Sequence, residues 1–244
     1  MERLMTVKDA AVFFNVSEMT IRRWTNSGAL KCYRVGGKHE RRFKAQDLQA
    51  YLEKLSSPVL TAEKSVPLGQ HNLFVPDGTH LTHLSMNISE ALDIGSAYLR
   101  EGLEREETVL LVVGTGNIDK LLSRLQSSGV DVGRAKSQGR LHISHGADDP
   151  PTMAAVISQT ITNAKGRFRL FGDMTWVKEK KWQLKATRQL EEMGNTFPII
   201  PGRLFLCQYP LAAFSGEELM MVAETHKYTL YKDAVQESPY FASN

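Results

Sequence analysis

The chain has 244 residues, 42% of them hydrophobic and 23% charged, with a formal net charge of +3 and two cysteines. No apolar run approaches the roughly 20 residues of a spanning helix, so neither a membrane span nor a secretory segment is read. The cysteines are far apart and form no CxxC pair, which excludes a disulfide framework and points to a reducing cytoplasm. The modest net charge is unevenly spread: residues 1–54 hold 11 Lys and Arg against 6 Asp and Glu, while the remaining 190 hold 19 against 21. A basic head on a slightly acidic body is the electrostatic footprint of a nucleic-acid binder.

Two short amphipathic helices open the chain in LMTVKDAAVFFNVSEMTIRRWTNSGAL, joined by a turn at Phe14-Asn15-Val16. Ser17 is placed to cap the second helix. At about 100° per residue, Ile21, Trp24 and Gly28 share one face of that helix, while Met19, Arg22, Arg23 and Asn26 fall on the other. Gly28 is a natural stop, since a glycine enters the left-handed conformation freely. Tyr33 and Val35 then alternate with Arg34 as a strand does, Gly36-Gly37 supply a tight turn, and Lys38, His39, Arg41 and Arg42 occupy its tip and return. KAQDLQAYL closes the unit as a third helix. Helix, turn, helix, basic hairpin and helix make a winged helix-turn-helix.

VSEMTIRRW, SGAL, YRVGGKHERRF and DLQAYL together resemble the MerR-type helix-turn-helix of excisionase-like and BldC-like DNA-binding proteins. The resemblance implies sequence-specific binding of double-stranded DNA by residues 17–26 and the 33–43 wing. The expected contacts are Ser17, Met19, Thr20, Arg22, Arg23 and Asn26 from the helix, and Arg34, Lys38, His39, Arg41 and Arg42 from the wing.

Residues 56–70, SSPVLTAEKSVPLGQ, carry two prolines and no helical stripe, and read as a linker between a 1–55 head and a 71–244 body. Within the body, strand-like segments at 80–85, 108–113, 141–145, 167–171 and 203–208 alternate with helical patterns at 89–105, 118–127, 152–164, 179–193 and 216–225. That alternation predicts an α/β unit with a mainly parallel sheet and helices on both faces, a three-layer arrangement. Ligands in such folds sit beyond the carboxyl ends of the strands. Those ends bring forward His83, Ser85, Gly114, Asp173, Trp176, Cys207 and Tyr209 as candidate ligand contacts.

Several catalytic readings fail at this level. Gly114-Thr115-Gly116-Asn117 stands where a phosphate loop belongs, but Lys120 comes too late to reach a nucleotide's phosphates. Asp173 reads as a residue that orients local backbone. Ser85, His83 and Asp173 lack a nucleophile elbow, so no triad is read. His80 and His83 point to opposite faces if their segment is a strand, and His145 with Cys207 is more simply structural, so no metal and no cofactor are expected.

HLTHLS, YLREGLEREE before LLVVG, FGDMTW, LCQYPLAAFSGEEL and THKYTLY with SPYF resemble, in this order, the MEDS sensory domain of DcmR-like regulators, a degenerate relative of the RecA/KaiC fold. Family members often carry Glu where Asp173 stands. The resemblance implies a non-catalytic sensor of small organic compounds.

The expectation is therefore a cytoplasmic transcription regulator, a repressor by analogy, with a DNA-binding head and a sensing body. The 56–70 segment cannot form the long dimer helix of conventional MerR proteins, so a homodimer would form through the body or on DNA. Two other classes stay open: a DNA-targeted scaffold whose body binds a protein partner, and a RecA-like ATPase.

Overall fold

A computed structural model of the chain describes residues 4–26, 28, 30–37, 39–55, 65–70, 73–197 and 201–241. The chain folds as two compact units, Met1–Glu63 and Lys64–Asn244.

The first unit begins with α1 (Val7–Phe14). Thr6 and Asp9 form a capping box: the Thr6 hydroxyl accepts the Asp9 N–H at 3.2 Å, and the Asp9 carboxylate accepts the Thr6 N–H at 2.9 Å. Asn15, left-handed at φ 53, ends the helix and turns the chain into α2 (Glu18–Asn26). The strands β1 (Tyr33–Val35) and β2 (Glu40–Arg42) pair antiparallel with Arg34 opposite Arg41. Gly36 at φ +74 and His39 at φ +48 make the turn between them. α3 (Ala45–Leu55) follows. Ala10, Ala11, Ile21, Leu30, Phe43 and Leu48 form the core, with Phe14, Trp24 and Tyr51 packed edge-on or tilted against one another beside it.

The second unit opens with a two-stranded antiparallel pair, β3 (Ser65–Pro67) and β4 (Phe74–Pro76). This corrects the expected linker at its far end: Val66 and Leu68 are buried in the core of the unit, and the Pro67 carbonyl accepts a bond from Arg169. A proline at the strand end terminates the pairing without preventing it.

The central sheet is built from β5 (His80–Ser85), β6 (Thr108–Val112), β7 (Leu141–Ser144), β8 (Phe168–Asp173), β9 (Arg203–Pro210), β10 (Tyr228–Tyr231) and β11 (Ala234–Glu237), in the order β11-β10-β5-β9-β8-β6-β7. Every neighbouring pair is parallel except β10 with β11. The helices are α4 (Ile88–Glu104), α5 (Ile118–Ser127), α6 (Val132–Ser137), α7 (Pro150–Asn163), α8 (Thr175–Glu179), α9 (Leu184–Gly194) and α10 (Gly216–Thr225).

Alternation along the strands divides the apolar residues between two faces. Val109, Leu111, Phe171, Leu204 and Leu206 pack with α4 and α5. Leu110, Val112, Leu170, Phe205, Cys207 and Tyr209 pack with α7, α8, α9 and α10. The helix expected at 179–193 begins only at Leu184, because the chain leaves α8 at Glu179 and Lys181 takes a left-handed φ of 55 before α9. α6, β10 and β11 are additions to the expected elements.

A buried charge ties the layers together. Arg169, 0% exposed, donates from Nε to Glu107 at 2.7 Å, reaches the carbonyls of Pro67 and Tyr98 at 3.2 Å, and stacks on the Tyr98 ring at 4.5 Å.

Candidate functional site

In the first unit α2 splits as its pattern requires: Ile21 is buried, while Met19, Arg22, Arg23 and Asn26 are exposed. Ser17 and Thr20 are engaged in the helix cap, the Thr20 N–H donating to the Ser17 hydroxyl at 3.2 Å and the two hydroxyls lying 3.0 Å apart. Arg22 pairs loosely with Glu18 at 3.6 Å. Asn26 accepts a bond from Arg41 at 2.5 Å, so the second helix is fastened to the wing. Arg34 and His39 are exposed, Arg42 is half-buried and paired with Glu40 at 2.6 Å, and Lys38 lies outside the described residues. A groove lined by Lys8, Arg22, Arg34, His39, Arg41 and Arg42, among others, runs between helix and wing. Lys31 and Lys44, which the sequence pattern does not single out, flank the Tyr33 ring at 5.3 and 5.1 Å and enlarge the basic surface.

In the second unit the seven candidate ligand residues do not converge. His83 and Ser85 lie on the α4 side of β5; Nε2 and Oγ are buried without hydrogen-bond partners, and burial pushes His83 below the usual imidazole range. His83 Nδ1 is 2.9 Å from Gln208 Oε1. Asp173 is spent on local geometry, accepting from Asn117 at 2.8 Å and from the Thr175 N–H and hydroxyl at 3.1 and 2.8 Å. Gly114 faces a side chain of the chain itself. The Glu179 carboxylate accepts the N–H groups of Thr115 and Gly116, and a Cβ on Gly114 would meet it at 2.1 Å. Burial opposes the Glu179 charge, but those N–H groups hold its carboxyl below the usual range. A carboxylate thus fills the cradle in which a phosphate loop would hold its anion.

Trp176, Cys207 and Tyr209 lie on the opposite face, and the first two line a small cavity of about 30 Å³ with Val112, Met153, Ile157, Leu170 and Met174. That is room for a molecule of about water size. His80 and Glu191 form its polar wall. Beside it, His80, Glu191, Cys207 and His226 bring their donor atoms within 4.8 Å of one another, all buried. Burial opposes the Glu191 charge, yet His226 and His80 hold its carboxyl far below the usual range. Burial and then His80 push His226 down, and burial with the Glu191 charge pushes the Cys207 thiol up. Tyr209 places its hydroxyl on Glu191.

Sequence reasoning missed Glu191 and His226. A signal for the first existed: Thr187, Leu190, Glu191 and Gly194 repeat at helical spacing and are all buried, so an acid stands on an inward face.

The comparison with known families turns on the second unit. Residues 79–227, more than half of the chain, match the model of the family described as MEDS, the methanogen/methylotroph DcmR sensory domain. The chain belongs to the MEDS family. Ahead of the MEDS match, residues 4–56 match a helix-turn-helix domain family. Across both, the chain is 28% identical over 246 residues to the transcriptional repressor DcmR of Methylorubrum extorquens, covering 93% of this chain and 91% of that protein. The MEDS unit has a solved structural neighbour in the KaiC-like protein PH0186 from Pyrococcus horikoshii OT3. The TM-score is 0.53 at 14% identity, covering 68% of this chain and 79% of that one, a likeness of fold. Among the described residues, no helix is long and apolar enough to cross a membrane.

Proposed function

We propose that this protein is a DNA-binding transcriptional regulator, acting as a repressor, whose MEDS unit senses a small molecule and whose head reads an operator. The observation that carries the reading is the outward face of α2. Arg22, Arg23, Met19 and Asn26 are exposed together, behind them Ile21 anchors the helix, and beside them stands a basic wing. Arginine forks read guanine edges in the major groove, and wing arginines hold phosphates. The likeness to a protein named as a transcriptional repressor supports the sign of regulation.

The filled phosphate cradle favours sensing over nucleotide hydrolysis. Glu179 occupies the N–H groups of Thr115 and Gly116, and no lysine follows Gly116 at the spacing that reaches β- and γ-phosphates. The cavity beside Trp176 and Cys207 has a mostly apolar lining that suits a small, weakly polar molecule, but it holds only a water-sized one as it stands, so an organic ligand would have to open it. A single head of this size buries roughly 600–1,000 Å² on DNA, so stable operator binding calls for two heads, supplied by a homodimer in the cytoplasm.

Fluorescence anisotropy on DNA upstream of the protein's own gene tests the reading. Arg22→Ala and Arg23→Ala each weaken specific binding by about 1–3 kcal/mol, roughly 5- to 150-fold, with little change on unrelated duplex. Equal binding of both duplexes by the intact protein would remove the reading.

A further inference from the structure

The polar cluster on the α9 side of the sheet is short of a positive centre. His80 stands at the start of β5, Cys207 in β9, Glu191 on α9 and His226 at the residue after α10. None is more than 6% exposed. The DNA-facing surface of the first unit does not involve them, and three of the four, His80, Glu191 and Cys207, also line the small cavity described above.

The hydrogen bonds around the cluster place a proton on the outer nitrogen of each histidine ring. Asn195 donates its amide N–H to the Thr225 carbonyl at 2.8 Å, so its oxygen faces His80 Nδ1, 3.0 Å away. His80 Nδ1 therefore carries a proton, and whenever the ring is neutral Nε2 holds a lone pair. His226 Nδ1 lies 3.0 Å from the Val222 carbonyl, which can only accept, so the same tautomer follows. Tyr209 donates to one oxygen of Glu191, and the other oxygen turns inward. With both rings neutral, two imidazole lone pairs and a carboxylate oxygen converge with one thiol. The inward His226 Nε2 is 3.4 Å from Glu191 Oε2 and has no hydrogen-bond partner, although it is fully buried. An acceptor left facing acceptors in an apolar interior is costly.

We infer that His80 Nε2, His226 Nε2, Glu191 Oε2 and Cys207 Sγ are the ligands of one divalent transition-metal ion, Zn²⁺ by their chemistry, held in a closed site within the MEDS unit. Three of the six donor separations are close to those of a single ion, and all four donors lie within 4.8 Å of one another, so the wider pairs would draw in on binding. His80 Nε2 is 3.2 Å from Glu191 Oε2 and 3.4 Å from Cys207 Sγ. Tetrahedral zinc, with bonds of about 2.0–2.3 Å, sets its donors about 3.3–3.8 Å apart. Two imidazoles, a carboxylate and a thiolate form a mixed hard and soft set that suits zinc and disfavours calcium or magnesium. Asn195 and Val222 supply the outer support that orients a metal-bound histidine, and Tyr209 does so for the carboxylate. On binding, the Cys207 S–H bond breaks, the sulfur keeps the electron pair for the metal, and the proton leaves to water. The ion would staple two neighbouring strands to the ends of α9 and α10.

The test uses the full chain purified from zinc-supplemented cells without chelator. Elemental analysis should return one zinc per chain. Chelator-stripped protein should melt at a lower temperature and recover on adding Zn²⁺. Reloading with Co²⁺ should give tetrahedral visible bands and a thiolate-to-cobalt charge-transfer band, the latter lost in Cys207→Ser. Asn195→Ala, which leaves every ligand in place, should weaken Zn²⁺ binding about 10- to 100-fold. It also carries the test should Cys207→Ser fail to fold. Stripped and untreated proteins with the same melting temperature and no bound zinc would overturn the inference. So would cobalt spectra without a charge-transfer band, or an Asn195→Ala affinity equal to wild type.

Discussion

The carboxylate of Glu179 accepts the backbone N–H of Thr115 at 2.9 Å and its hydroxyl at 3.1 Å, closing a 114–117 loop that in a nucleotide-binding fold would be open. Glu179→Ala should raise amide hydrogen exchange at Thr115 and Gly116. Its carboxylate is exposed to water, so global stability should fall by about 1 kcal/mol or less. ATP hydrolysis should stay absent in both proteins; turnover appearing in the variant would mean that Glu179 masks a working phosphate site.

The wing should hold the DNA backbone. Arg34→Ala and Arg42→Ala are expected to weaken binding to every duplex and to flatten the plot of log affinity against log salt by about 0.9 for each phosphate that is no longer neutralised. A slope indifferent to both changes would place the wing away from the DNA backbone.

Arg169 and Glu107 form a pair with side chains 0% and 2% exposed. Removing one partner strands the other charge in the core, so Glu107→Ala should lower stability by about 3–5 kcal/mol in urea melts. Replacing both with apolar residues of similar volume, Glu107→Leu with Arg169→Met, should recover most of the loss. Gly102→Ala belongs to the same site, because its Cβ would lie 2.9 Å from Arg169 Cδ and Nε. Overpacking there should cost about 1–3 kcal/mol.

Acid should unfold the second unit partly through Asp77. Burial opposes its charge, but bonds from Arg167 at 2.8 and 3.1 Å and from the N–H groups of Gly202 and Gly78 hold its carboxyl below the usual range. A carboxyl lowered in the folded state contributes stability that is complete above its unfolded value of about 3.9 and fades as pH falls through the folded one. Asp77→Asn should therefore lower the urea midpoint at neutral pH and flatten its fall below about pH 4. Parallel acid limbs for the two proteins would reject the assignment.

The head was legible residue by residue because its signals are local. Turn chemistry at Asn15 and Gly28 and a helical stripe through Ile21 each depend on near neighbours. The parallel sheet was legible as alternation of periods, and α5 and α10 keep the predicted bounds. The body's sites were not legible in this way. Their residues are joined across long separations, His80 to Cys207 and Glu191 to His226, by a strand order that no window of sequence contains. Asking which side chains share a strand end grouped His83 with Cys207, whereas the pleat sends them to opposite faces. Glu179 went unnoticed because its partner loop lies more than sixty residues earlier, at a separation of 64.

The bond from Arg41 to Asn26 ties the exposed face of α2 to the hairpin beside it, and the shared core of Ile21, Leu30 and Phe43 holds the two together from behind. On the proposed reading, a signal arriving from the sensory unit would not retune which bases are read by sliding one against the other. Control would then act on the reader entire, by presenting it, hiding it, or changing its distance from a twin, and induction would alter occupancy and leave the recognised word unchanged.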